Sequence, residues 1–149
     1  MVTVPDVTTF RVLFTGSRSF DDRAAIWVAL DIIAESALAS GYERVLLVHG
    51  ACDKGGDVHA DAWYRAKRSE MPLGIERHPA NWKKFGSSAG PRRNRFMVSL
   101  GADVCLAAIR NNSAGASRCA AWAERAGIHV QPLIYEGLPP AGELPERAS

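Results

Sequence analysis

The sequence has few cysteines and no long apolar run. Cys52, Cys105 and Cys119 are an odd number in 149 residues and none has the CxxC spacing, so neither a disulfide framework nor a zinc knuckle is indicated. No segment approaches the roughly 20 apolar residues that span a bilayer, and residues 1–9 lack the basic start and apolar stretch of a signal peptide. We therefore expect a cytoplasmic protein without a membrane segment.

Standard cofactor and metal signatures are also missing. The sequence contains no GxxxxGK[ST], and no GxGxxG follows its first strand-like segment, which disfavours a P-loop NTPase and a conventional dinucleotide dehydrogenase. Histidines and carboxylates are not grouped at metal-ligand spacing, so we predict neither a metal site nor a bound cofactor. The net charge is only +2, whereas a dedicated non-specific DNA-binding protein usually has a broader basic surface.

What the chain does contain is an alternation of short apolar runs and helix-like segments. The runs are typical of strands in a buried parallel sheet, and Pro132 favours an edge position for the last one. The predicted strands are residues 11–14, 44–48, 74–78, 104–109 and 129–134. The predicted helices are residues 22–39, 57–68, 91–100 and 116–126. This order predicts an α/β protein, a three-layer α/β/α Rossmann-like sandwich with a mainly parallel five-stranded sheet.

The domain division follows from the same pattern. Residues 11–136 are predicted to form one domain, preceded by an N-terminal extension over residues 1–10. Residues 137–149 contain three prolines and two glycines with almost no apolar side chains. We predict that they form a flexible tail.

One stretch is strongly basic. Residues 77–102 carry six lysines and arginines and no carboxylate. Within it, the small residues 86–90 run into the predicted helix that begins at Pro91. Backbone N–H groups at a helix N-terminus, backed by arginine side chains, bind phosphate well. A nucleotide-like anion is therefore the first ligand to consider.

Turns rich in glycine, small polar residues or arginine follow each of the first four predicted strands. In an open parallel sheet these turns meet at the carboxyl edge, where ligands bind. Each turn alone is better explained as a tight turn or a helix cap, but four such turns on one edge favour a binding site. The predicted ligand-binding residues are Gly16, Ser17, Arg18, Gly50, Gly55, Gly56, Asp57, Trp82, Gly90, Arg93, Asn94, Asn112, Gly115 and Ser117.

Together the turn motifs resemble a known family. Gly16-Ser17-Arg18, residues 49–61 and residues 79–97 resemble the YspA/YpsA-related branch of the SLOG superfamily. That superfamily includes the Lonely Guy phosphoribohydrolases and the DNA-uptake protein DprA. The resemblance covers about residues 11–134 and implies a Rossmann-like sheet that binds a nucleotide or nucleotide-derived ligand, as an enzyme or as a sensor. It leaves homo-oligomerisation open.

The match to Lonely Guy enzymes is incomplete. Arg93 and Met97 stand where those enzymes have an arginine and a methionine, and Gly115 matches a glycine of their second loop. However, Arg118 occupies the place of the catalytic glutamate. A cation there cannot stabilise an oxocarbenium-like charge or activate water. Lonely Guy hydrolysis by the same residues is therefore disfavoured, while anion binding is retained.

Our first hypothesis is a protein that senses, sequesters or processes a phosphorylated nucleoside. Phosphate would lie on the Gly90 and Gly115 turns with Arg93 and Arg18, while Asn94, Asn112 or Asp57 would contact sugar hydroxyls. Trp82, predicted in a loop, would stack on the ligand or pin that loop. The tryptophans within predicted helices, Trp27, Trp63 and Trp122, are assigned to the core.

Two alternatives from other classes stay open. One is a nucleotide N-glycosidic hydrolase that uses different residues, with Asp57, Asp61, His49 and Arg93 as candidate catalytic groups. The other is a DprA-like nucleic-acid-binding module that uses residues 77–95 as its contact strip. As a partner, nucleic acid is less favoured than a nucleotide or nucleotide-derived small molecule, because the overall charge is small.

Overall fold

A computed structural model describes residues 8–111 and 113–135 of the chain. Five strands alternate with helices along it. The strands are β1 (Thr9–Gly16), β2 (Arg44–His49), β3 (Leu73–Arg77), β4 (Val104–Arg110) and β5 (His129–Tyr135). The helices are α1 (Arg23–Ala39), α2 (Gly56–Lys67), the single turn α3 (Trp82–Phe85), α4 (Ala89–Ser99) and α5 (Ala114–Arg125). A short 3₁₀ turn (Gly86–Ser88) joins α3 to α4.

The sheet is entirely parallel, with strand order β3-β2-β1-β4-β5. Successive side chains of β1 point to opposite faces, as the strand period requires. Phe14 packs with α1 and α2 in one core cluster, whereas Leu13 packs with α4 and α5 in the other. The three-layer α/β prediction is confirmed, and Pro132 lies in an edge strand.

Element boundaries differ slightly from the sequence predictions. β1 begins at Thr9 rather than residue 11, because Thr9 and Phe10 pair with Arg44 and Val45 of β2. Helix α3 replaces the predicted loop at Trp82, since the Asn81 side chain accepts the Lys84 N–H at 3.0 Å and starts a turn there. Residues 1–7 of the predicted extension and the predicted tail lie outside the described residues. None of the helices in the described part of the chain has the length and apolar character needed to cross a membrane.

The strand order creates a crevice. The chain runs outward from β1 through β2 to β3 and then returns to β4 on the other side of β1. The connections that leave the carboxyl ends of β1 and β4 therefore diverge to opposite faces of the sheet. This is the position at which open α/β sheets bind their ligands.

Candidate functional site

A cavity of about 360 Å³ lies at the carboxyl edge of the sheet. The turns after β1, β2 and β4 line it together with α3 and α4. Most of the predicted ligand-binding residues are brought together here. Those that line the cavity are Gly16, Ser17, Arg18, Gly50, Asp57, Trp82, Gly90, Arg93, Asn94 and Gly115.

The remaining predicted residues are placed differently. Gly55, Gly56 and Ser117 are not among the residues that line the cavity, and Asn112 lies outside the described residues. Of the candidate catalytic groups, Asp57 and Arg93 line the cavity, whereas His49 and Asp61 do not. The structure thus places two of the four candidate catalytic groups at the cavity and the other two away from its surface.

Two glycines allow the β1 turn and the start of α2 to touch. A Cβ atom on Gly16 would lie 2.9 Å from the Cα atom of Gly56, and one on Gly56 would lie 3.0 Å from the Cα atom of Gly16. The Gly56 N–H also donates to the Ser17 carbonyl oxygen at 3.1 Å. Gly56 therefore fixes the position of Asp57, the next residue, without lining the cavity itself.

Ser17 connects the β1 turn to the turn after β4. Its hydroxyl lies 2.7 Å from the Ser113 hydroxyl and accepts the Arg110 N–H at 2.9 Å. Ser113 is the N-cap residue of α5, but its side chain makes no capping hydrogen bond. The first N–H groups of an α-helix have no intrahelical acceptor. The α5 N-terminus, with Gly115 on the cavity wall, is therefore suited to an anion.

Arg93 joins two of these turns. Its Nη1 donates to the Gly50 carbonyl oxygen and, at 3.2 Å, to that of His78. Its Nε donates to the Asn94 side-chain oxygen at 2.7 Å. Glycine at position 50 leaves room for this arginine, because a Cβ atom there would lie 2.5 Å from the Arg93 guanidinium and displace it. The arginine therefore holds its charge at a fixed place in the cavity wall.

The lining is positively charged. Arg18, Arg93 and Arg118 contribute three guanidinium groups, and Asp57 is the one carboxylate among the described lining residues, which gives a formal charge of +2 (three minus one). Within residues 8–111 and 113–135, no carboxylate forms a salt bridge with any of these three arginines. A cleft with such a lining attracts anions.

Asp57 lies in the first turn of α2 and is only 5 % exposed. Burial raises the pKa of this carboxyl, while the hydrogen bond from the Cys52 N–H to Asp57 Oδ2 at 3.0 Å, a backbone hydrogen bond from Gly50 and the charge of Arg93 act in the opposite direction. A carboxyl in such a place can accept hydrogen bonds from a ligand or exchange a proton with it.

His49 and Asp61 belong to a network behind the cavity. His49 Nδ1 accepts the Ala51 N–H at 2.9 Å, so its Nε2 carries the proton and donates to Asp61 Oδ2 at 2.8 Å. Arg77 Nε donates to the same Asp61 oxygen at 2.6 Å. The hydrogen bond from Arg77, with help from His49, lowers the pKa of Asp61 to about 2. The network connects β2, α2 and β3 and so supports the turn that contains Gly50.

Replacing Asp61 with asparagine is expected to lower the free energy of unfolding by about 1–2 kcal/mol at pH 7. A carboxyl whose pKa is depressed in the folded state stabilises it above the ordinary value of 3.8. That stabilisation is lost as the pH falls toward 2. Urea denaturation of both proteins at pH 7 and pH 3 measures the difference, which should shrink at the lower pH. An equal deficit at both values would refute this account.

Two tryptophans reach the cavity. Trp82 is 46 % exposed, and the Arg18 guanidinium carbon lies 5.5 Å from the centre of its ring. Trp122 packs against the second core cluster, as predicted, but also lines the cavity. Sequence reasoning missed that second role. Arg118 and Trp122 are spaced four residues apart on α5, and this spacing places both on the face that begins near Gly115.

The chain is similar to known proteins over most of its length. The profile of the YspA, cpYpsA-related SLOG family matches residues 10–85, which run from β1 through α3. The chain belongs to this family. The curated "Gene 61 protein" of Mycobacterium phage D29 is 42 % identical to this SLOG chain over 121 residues, which cover 80 % of the chain and 93 % of the relative. No solved structure matches the chain.

Membership of the SLOG family suggests binding or processing of a nucleotide-related compound. The predicted resemblance to the YspA-related branch is confirmed. The profile match ends at residue 85, so Gly90 and Arg93 of α4 and Gly115 of α5 lie beyond it. Their assignment to a site depends on the cavity alone.

Proposed function

We propose that this SLOG-family protein binds a phosphorylated nucleoside in the cavity at the carboxyl edge of its sheet. The observation that carries the proposal is the set of three arginines, Arg18, Arg93 and Arg118, around one cleft that the turns after β1, β2 and β4 line. Guanidinium groups form charge-assisted hydrogen bonds with phosphate oxygens. The cavity volume of about 360 Å³ lies within the usual range for small-molecule sites.

The phosphate is assigned to the α5 end of the cavity. A Cβ atom built on Gly115 would have no atom within 4 Å, so the backbone there is open to a ligand. Arg118 follows three residues later on the same helix and lines the same cavity. The helix N-terminus supplies N–H groups and a partial positive charge, and Arg118 supplies a full one.

The nucleoside is assigned to the side of Trp82. Its ring is half exposed at the cavity and packs near Gly90, where a Cβ atom would approach it to 3.1 Å. Aromatic rings stack on bases without strong sequence preference. Asn94 provides an amide for the polar atoms of the ligand.

Calorimetric titration with nucleoside monophosphates and the matching nucleosides tests the proposal. We expect at least one monophosphate to bind ten times or more tightly than its nucleoside. Arg118→Gln should weaken that binding about tenfold, because a charge-assisted hydrogen bond is lost. Arg125→Gln, at the far end of α5, is the matched control and should bind as the wild type does. Equal affinity for nucleotide and nucleoside would contradict the proposal.

Hydrolysis of an N-glycosidic bond is a second candidate, which one observation favours. Asp57 is a buried carboxyl with a raised pKa on the cavity wall, and carboxyl groups that act as a general acid or base are often perturbed in this direction. Incubation with nucleoside monophosphates, NAD and ADP-ribose, followed by chromatography for free base, tests it. Release of base by the wild type but not by Asp57→Asn would support an enzyme, and no release would support binding alone.

A further inference from the structure

We infer that Asp57 recognises the ribose of the ligand, so that the cavity selects ribonucleoside phosphates over their 2′-deoxy counterparts. This inference rests on the proposed function, because it names the sugar of the same ligand. The observation behind it is that the lining combines three cations with a single buried carboxylate among the described residues. A site for an inorganic anion alone has no use for such a group.

The charge of Asp57 determines what it can face. An ionised carboxylate accepts hydrogen bonds and repels phosphate. A buried carboxylate is costly unless donors surround it. The backbone donors described for it are the Cys52 N–H at 3.0 Å and the Gly50 N–H, while a carboxylate has room for about four hydrogen bonds. The part of the ligand beside Asp57 therefore carries hydrogen-bond donors, and two adjacent hydroxyls match the two oxygens of a carboxylate.

The position of Asp57 favours the sugar over the base. Arg93 Nη1 donates to the Gly50 carbonyl oxygen, and Asp57 Oδ2 accepts the Cys52 N–H of the same turn, so the carboxyl lies near one of the three cations that are proposed to attract the phosphate. In a nucleotide the ribose adjoins the phosphate, whereas the base lies farther away. Trp82, which also lines the cavity, is the group assigned to the base.

The carboxyl is also held rigidly, as discrimination requires. Gly55 and Gly56 precede it and pack on the backbone of the β1 turn. On the other side, the Cys52 N–H fixes Oδ2, and Cys52 follows Ala51, whose N–H is held by buried His49. A hydroxyl that is missing from the ligand therefore leaves Asp57 with an unfilled acceptor, since the backbone around it cannot rearrange easily.

The test is a titration of the wild type and Asp57→Asn with ribonucleoside, 2′-deoxyribonucleoside and 3′-deoxyribonucleoside 5′-monophosphates of each base. We expect the wild type to bind the ribonucleotide at least tenfold more tightly than the 2′-deoxy compound. Asp57→Asn keeps an acceptor for the Cys52 N–H but loses the charge that strengthens hydrogen bonds from sugar hydroxyls, so the ratio of the two affinities should fall to about threefold or less. Asp53→Asn, an exposed residue of the same turn, should keep the full preference.

The outcomes that overturn the inference are distinct from those that overturn the proposed function. If the wild type binds ribo- and deoxynucleotides equally, and both more tightly than nucleosides, Asp57 does not read the sugar but the phosphate site stands. If Asp57→Asn removes a preference for one base and leaves the sugar preference intact, Asp57 reads the base and the inference fails. If no nucleoside phosphate binds, the proposed function itself is wrong.

Discussion

Gly55→Ala is expected to lower the free energy of unfolding by about 3 kcal/mol or more, the largest effect of a single substitution that we predict. Gly55 has φ 71° and ψ −139°, a conformation that only glycine adopts readily. A Cβ atom there would also collide with the backbone carbonyl oxygens of Ser17 and Arg18, and would lie 2.5 Å from the Arg18 carbonyl carbon. Backbone strain and a collision with backbone atoms therefore add together.

Gly86→Ala is the matched control for this prediction. Gly86 has nearly the same backbone conformation, φ 56° and ψ −136°, but a Cβ atom on it would have no neighbour within 4 Å. Only the strained conformation is then penalised, at about 1–2 kcal/mol. Urea denaturation of the three proteins measures both losses. If the two alanine variants lose equal stability, the close contact between the β1 turn and the start of α2 does not explain the loss in Gly55→Ala.

Arg93→Ala is expected to weaken nucleotide binding ten- to hundredfold, which corresponds to about 1.5–3 kcal/mol. The substitution removes one of the three cations of the cavity. It also removes the hydrogen bonds that hold the Gly50 and His78 carbonyl groups together, so the turn that carries Asp57's partner Cys52 loosens. Both the charge and the shape of the cavity are then affected.

Arg93→Lys separates these contributions. Lysine retains the charge, but its single ammonium group cannot reproduce the planar donor set that reaches Gly50, His78 and Asn94. We expect an intermediate affinity from calorimetric titration with the best-bound monophosphate. Arg92→Ala is the control, because Arg92 is the sequence neighbour of Arg93 but does not line the cavity. Its guanidinium carbon lies 4.5 Å from the centre of the Phe85 ring instead. If Arg92→Ala and Arg93→Ala lose the same nucleotide affinity, the loss reflects the overall surface charge and not a specific contact of Arg93.

Much of the fold could be predicted from local patterns in the sequence. Short apolar runs such as residues 44–48 are typical of strands covered on both faces, and glycines such as Gly101 mark where helices end. Once the strands are known to be parallel, the turns at their carboxyl ends have to meet. The sequence therefore predicts that Arg18, Arg93 and Gly115 lie at the same edge of the sheet, although it gives no distances between them.

The parts that could not be predicted depend on the register between strands. His49 of β2 pairs with Arg77 of β3, and this register brings both residues to Asp61 of α2. No local pattern determines that register, so the sequence alone leaves His49 and Asp61 among the catalytic candidates. Trp122 was assigned only to the core for a similar reason, since one helix face can serve the core and a cavity at once.

The measurement that tests the central claim most directly is a nitrogen-15 NMR titration of the full chain with the best-bound nucleoside monophosphate. We expect the amide signals of Gly16, Gly50, Gly90 and Gly115, at the carboxyl edge of the sheet, to shift in a saturable manner. Those of Gly101 and Gly127, which precede β4 and β5 at the opposite edge, should stay in place. Shifts confined to the exposed residues of the basic strip 77–95, with the four edge glycines unchanged, would contradict the account and favour a nucleic-acid surface instead.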